Sequence, residues 1–216
     1  PPYSINQWNR DAFTADRYGR NFLGVPPQGR ADYAFFQHIL ISMKQKTGRC
    51  AILFPHGVLF RNEERDMREK LARSDLVECV IGLGPNLFYN SSMEACIVIC
   101  RAKKPENRKG QILFINAVNE VTRKNAQSYL EPQHIDKIAK AYERFESDND
   151  IAKKVSIRDI EKNDFSLSIP LYVKDPSAIT VEMVMTVQDS YDVWLGTSRR
   201  LRAYYEALGN LLKREE

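Results

Sequence analysis

Four short apolar runs constrain this fold most: C-A-I-L-F at 50–54, L-V-E-C-V-I-G at 76–82, E-A-C-I-V-I-C-R at 94–101 and Q-I-L-F-I-N-A at 111–117. Runs of this length without polar alternation suit strands covered on both faces, the habit of parallel sheets. A helix is predicted ahead of the first run, over about 32–46. There Tyr33, Phe36, Ile39, Leu40 and Met43 recur mostly at three and four, Asp32 is an N-cap or first-turn acid, and Lys44, Lys46 and Gly48 mark the end. N-E-E-R-D-M-R-E-K-L-A-R predicts a charged helix at about 62–73, between the first two runs. The loop 84–92 is too short for a parallel crossover, so 76–82 and 94–101 are expected to pair antiparallel. The order predicts an α/β fold, a mostly parallel sheet with an antiparallel strand pair towards its end. Further on, the pattern predicts a helix at about 132–145, a linker near 146–163 and an extended segment at 165–173. The stretch 177–213 reads as helical, with a break at Leu195-Gly196-Thr197-Ser198.

Composition narrows the class. The chain has 216 residues, 43% apolar and 28% charged, enough for one large domain or two small ones. That balance excludes global disorder and a disulfide mini-scaffold. No run approaches the length of a bilayer span, and the opening P-P-Y-S-I-N-Q has no signal-peptide pattern. Cys50, Cys79, Cys96 and Cys100 all sit in the apolar runs and read as buried, reduced thiols. Cys96 and Cys100 would share a strand face, too far apart to bridge. No Cys/His cluster has zinc spacing, so no metal is expected, and the cytoplasm is the expected compartment. Residues 1–108 carry 16 Lys and Arg against 11 Asp and Glu, and residues 109–216 carry 16 against 17. A mildly basic first half is compatible with phosphate contact and equally with an ordinary solvated surface.

The residues that bear chemistry begin with Pro1-Pro2-Tyr3. A proline has a carbonyl acceptor, no N–H and a fixed φ, and a neighbouring tyrosine adds a flat π-face. Alone, the triplet fits many loops. Behind it runs a long segment without clear periodicity that carries Trp8, Arg10, Phe13, Arg17, Tyr18, Arg20 and Arg30. Long irregular segments are usually functional when ordered. Then come Ala31-Asp32-Tyr33-Ala34-Phe35 with His38, the series Gly48-Arg49-Cys50-Ala51 through Pro55, Gly57, Leu59 and Phe60, and Asn86-Leu87-Phe88-Tyr89. In this order, and with the later N-D-F-S-L-S-I-P-L-Y-V at 163–173, the chain resembles the modification (methylation) subunit of type I DNA restriction-modification systems. That subunit is an adenine-N6 DNA methyltransferase. The resemblance covers about residues 1–173.

The resemblance implies a partial Rossmann-like class I methyltransferase fold plus C-terminal helices, and methyl transfer from S-adenosylmethionine to the exocyclic amine of adenine. That amine's lone pair is delocalised into the ring, so acceptors gripping its hydrogens would free it. The family uses an Asn side chain and the carbonyl of the first proline, here Pro1, followed by Pro2. Tyr3 would stack on the base and stabilise developing positive charge. The base must leave the duplex to be reached. Phe88, or alternatively Tyr89, would pack on it; the plain reading is aromatics plugging the sheet edge. Arg10, Arg17, Arg20 and Arg30 are DNA-contact candidates. The implied partners are double-stranded DNA and the specificity and restriction subunits, with no membrane.

The family's Asn would precede Pro1, and its Phe-x-Gly-x-Gly cofactor turn would also lie upstream. Gly82-Leu83-Gly84 reads only as a turn, with Leu87 where a third glycine should stand. His38, His56 and His134 read as structural. The resemblance divides the chain into the C-terminal half of a catalytic domain (1–120), a helical and extended connecting region (121–173) and a helical assembly region (174–216). In the last, Leu201, Tyr204, Tyr205, Leu208, Leu211 and Leu212 form a stripe expected to dock on a partner. The alternative function is a non-catalytic assembly and DNA-contact module.

Overall fold

The structure is a computed structural model that describes residues 5–89, 91–148, 150–174, 191, 194–199 and 201–202. Backbone contacts divide the chain into two units, 1–176 and 177–216. No helix among the described residues is long and apolar enough to cross a membrane.

In chain order the first unit contains α1 (Arg10–Thr14), α2 (Asp32–Ile41), β1 (Arg49–Pro55), α3 (Arg65–Arg73), β2 (Val77–Leu83), β3 (Ala95–Arg101) and β4 (Gln111–Ala117). It continues with β5 (Thr122–Lys124), β6 (Gln127–Tyr129), α4 (Pro132–Arg144), β7 (Ala152–Ser156) and α5 (Ile157–Lys162). Five strands form one sheet in the order β1-β3-β2-β4-β7, while β5 and β6 form a separate hairpin. The predicted antiparallel pairing of β2 with β3 is present, with Val80 opposite Val98.

The expected mostly parallel sheet is corrected: β2 and β4 are the parallel pair, whereas β1–β3, β2–β3 and β4–β7 are antiparallel. The reason lies in the crossover. Helix α3 does return the chain so that β2 runs in the direction of β1, because both are antiparallel to β3. The short 84–94 connection then turns β3 back into the gap between them. Direction was legible from the crossover; adjacency was not.

The sheet buries both faces. On one, Ile52, Phe54, Val80, Cys96, Val98, Cys100, Ile112 and Phe114 pack with Tyr33 and Phe36 of α2 and Leu71 of α3. On the other, Cys79, Ile81, Leu113 and Ile115 meet Ala141 of α4 and Phe145. Every residue of β2 is buried, as a central strand demands. A register shift between Val77 and Cys79 lets Glu78 accept from the Tyr142 hydroxyl at 2.7 Å and pair with Arg101 at 2.9 Å. Burial raises this carboxyl's pKa, but Tyr142, Arg101 and Arg108 prevail and hold it below the usual carboxylate range.

Three further departures from the sequence reading have local causes. The linker expected near 146–163 contains β7 and α5, because Ala152 and Val155 are buried around two exposed lysines. The segment expected to be extended at 165–173 folds into a 3-10 turn at Ile169–Leu171 and inserts Phe165, Leu167, Ile169 and Val173 into the core. The expected break at 195–198 is absent: residues 194–199 are helical. The remaining stripe residues beyond Leu201 lie outside the described residues. All four cysteines are free, and Cys50 alone is only half-buried.

Candidate functional site

The long segment before α2 is ordered by its own polar groups. The Trp8 indole donates to the Gln28 carbonyl at 2.7 Å, and the Gln28 amide donates back to the Trp8 carbonyl at 3.0 Å. Buried Gln37 of α2 accepts from the Leu23 N–H at 2.6 Å and donates to the Gly24 carbonyl at 2.9 Å. Two of the four candidate arginines serve this segment. Arg10 donates to the Pro26 carbonyl at 2.9 Å, and Arg20 pairs with Asp16. The Arg20 guanidinium pulls the Asp16 carboxyl down to about 2. Arg17 is exposed and lies over the Tyr18 ring at 4.7 Å, while Arg30 is half-buried. Trp8, Phe13, Arg20, Phe35 and His38 line an open cleft of about 410 Å³.

Phe88 and Tyr89 sit elsewhere, at the end of the sheet where β1, β2 and β4 finish. That is where open α/β sheets place ligands. The turn is built by Asn86 in the left-handed region at φ 59° and by a bridge between Phe88 and Ser91. Asparagine tolerates that φ. Half-buried Phe88 stands between two cavities. One, about 330 Å³, is shared with Asn86, Tyr89, Ser91, Ser92, Ala126 and Gln127. The other, about 190 Å³ and apolar, is shared with Leu53, Pro55, Ser91, Met93, Glu94 and Ala95. Tyr89 projects outward, 86% exposed. None of the four arginines lines either cavity. Pro1, Pro2 and Tyr3 lie outside the described residues.

The glycine pair serves packing. A Cβ on Gly84 would lie 2.5 Å from the Val118 carbonyl oxygen, and one on Gly82 would meet Ile169 at 2.8 Å. The space a phosphate or cofactor cradle would need is filled by the chain itself, so these residues do not fit an S-adenosylmethionine turn. Two histidines are structural, as read. His56 Nε2 lies 2.9 Å from the Ala95 carbonyl, and His134 Nδ1 accepts the Glu131 N–H to complete the cap of α4. His38 is exposed on the cleft wall.

Sequence reading missed the β5–β6 hairpin. Its Ser128 N–H donates to the Asn86 carbonyl at 2.9 Å, fixing it beside Phe88. The available signal was Asn125, a residue suited to a tight turn, at φ 57° between two segments of three residues.

Comparison with known proteins agrees with this geometry. The sequence model of the N-6 DNA Methylase family matches residues 1–179. A type I restriction enzyme MjaVIII methylase subunit from Methanocaldococcus jannaschii is 32% identical over 221 residues, covering 95% of this chain and 38% of that protein. The MjaVII methylase subunit from the same organism is 36% identical over 186 residues, covering 80% of this chain and 31% of that protein. This chain thus spans less than two-fifths of either relative. The crystal structure of a type I restriction-modification system methyltransferase subunit from Streptococcus thermophilus superposes with a TM-score of 0.73 at 36% identity, covering 80% of this chain and 36% of that one. With its motifs, its sheet and this match in accord, the chain belongs to the N-6 DNA methylase family.

Proposed function

We propose that this chain forms the target-base side of a DNA adenine-N6 methyltransferase, the modification subunit of a type I restriction-modification complex. The observation that carries the reading is the Phe88 loop: an aromatic wall between two cavities at the carboxyl end of the sheet, in a chain of this family. S-adenosylmethionine is the methyl donor of the whole protein in this proposal, although Gly82 and Gly84 supply no cradle for it. What this chain's residues do is hold the base. The Pro1 carbonyl accepts from the adenine amine, Tyr3 stacks on the ring, and Phe88 closes the other side, leaving the amine's lone pair exposed. Leu53, Pro55 and Met93 give the smaller cavity an apolar lining against which the base rests. Residues 174–216 are assigned to assembly with the specificity subunit, in a complex that also includes the restriction subunit.

The test uses the complete protein in its complex. Duplex DNA carrying 2-aminopurine at the target position is expected to brighten on binding as the base leaves the stack. Phe88→Ala is expected to weaken that signal and slow methyl transfer about tenfold to a hundredfold, the worth of about 1–3 kcal/mol of base stacking. Transfer at the unsubstituted rate would remove Phe88 from the site. Failure of the unsubstituted complex to methylate adenine would leave the non-catalytic assembly reading.

A further inference from the structure

Resting on that reading, we propose that the β5–β6 hairpin grips the DNA backbone beside the extruded base, with Arg123 and Lys124 neutralising phosphates. The argument begins with what the hairpin is. Two strands of three residues form a two-stranded sheet of their own, Lys124 opposite Gln127 around the turn Asn125-Ala126. A ribbon this small has little stability of its own. Arg123, Lys124, Asn125, Ala126 and Tyr129 are all exposed, so it contributes little to the core. It is nevertheless held in one place. Ser128, the buried residue of the ribbon, is tied to Asn86, and Ala126 and Gln127 form the wall of the cavity facing Phe88 and Tyr89.

The charges support a contact with an anion outside the chain. Lys137 of α4 is neutralised by Glu120 at 2.7 Å and Asp150 at 2.9 Å. Arg123 makes no ion pair among the described residues. Lys124 reaches Glu131 at 3.3 Å, but its side chain remains 66% exposed and free to serve a second acceptor. Lys124 shares a face of the ribbon with Gln127, and Arg123 shares the other with Ser128, so the two cations stand on opposite faces of the ribbon, within a few residues of the cavity-lining Ala126 and Gln127. A strand whose base occupies the cavity at Phe88 necessarily runs its backbone past the cavity's rim, and this ribbon is part of that rim. The contact is to phosphate and therefore independent of base sequence.

The experiment is equilibrium DNA binding by the complete protein in its complex, at several salt concentrations, on target and unrelated duplexes. Each phosphate contact contributes about 0.9 to the slope of log K against log salt. The pair Arg123→Gln and Lys124→Gln is expected to lower that slope by roughly two and to weaken both duplexes by the same factor. Arg123→Lys should restore about half of the lost slope in that background. Should the pair loosen the cap of α4 at Glu131, Arg123→Gln alone is read, with an expected loss of about one. An unchanged slope in folded variants overturns the proposal. Absence of DNA binding by the unsubstituted complex overturns the methyltransferase reading instead, and the hairpin's role with it.

Discussion

Gly84 stands so close to Val118 that a Cβ on it would lie 2.5 Å from that residue's carbonyl oxygen. The end of β2 meets the backbone of the segment after β4 there, with the Val121 side chain beside it, and the Phe88 loop leaves from that contact. Gly84→Ala is expected to cost about 1–3 kcal/mol, because the obstacle is a carbonyl that cannot rotate away. Gly82→Ala should cost less, since its obstacle is the tip of the Ile169 side chain. Thermal unfolding of the two variants measures the difference, and equal losses would refute the argument.

Gln37→Leu keeps the side-chain volume of α2 roughly constant but leaves the Leu23 N–H and the Gly24 carbonyl without their partner. A loss of about 1–3 kcal/mol is expected. Hydrogen exchange should rise selectively over residues 20–30, with the sheet amides protected as before.

Glu64 is buried beside Arg61 and Asp32, and burial pushes its carboxyl from the ordinary 4.5 up to about 7, against the pull of Arg61. The folded state therefore holds this proton more tightly than the unfolded one. Its contribution to stability is complete below about pH 4.5 and is lost as pH rises through 7, a change on the order of a few kcal/mol. Denaturant titrations at pH 5 and pH 8 should show that loss, and Glu64→Gln should flatten it.

Tyr3→Ala in the complete protein is expected to slow methyl transfer about tenfold to a hundredfold while changing DNA affinity far less, in keeping with base–aromatic stacking of about 1–3 kcal/mol. Single-turnover kinetics separates the two effects.

Removing residues 197–216 is expected to abolish co-purification with the specificity subunit while the sheet unit stays folded. Retained assembly, or an unfolded truncation, would assign these residues to the chain's own core.

The strands were legible because Val80, Val98 and Phe114 sit in runs too apolar for anything but a core. The sheet order was not, since nothing in local sequence says that β3 enters between β1 and β2. Strand β7 escaped notice because Lys153 and Lys154 face outward and leave only Ala152 and Val155 as apolar signal. At the candidate site, Phe88 and Tyr89 stand out in the sequence only through family motifs; periodicity treats them as loop. Arg10 and Arg20 read as DNA-contact candidates on a long segment, and in the structure their guanidiniums also hold that segment's shape. A charge count cannot distinguish the two uses.

The insertion of β3 dictates an order of events during synthesis. Strands β1 and β2 leave the ribosome before β3, yet neither pairs with the other, because their common neighbour is residues 95–101. Until that segment emerges, Ile52, Phe54 and Val80 have helices to rest on but no ladder to complete. The nascent chain must carry two unpaired apolar edges through this interval, the condition in which a chaperone binds or neighbouring chains aggregate. Slowing translation just before the codon for Ala95 should therefore lower soluble yield, and slowing it after the codon for Ala117, when β4 is complete, should matter less.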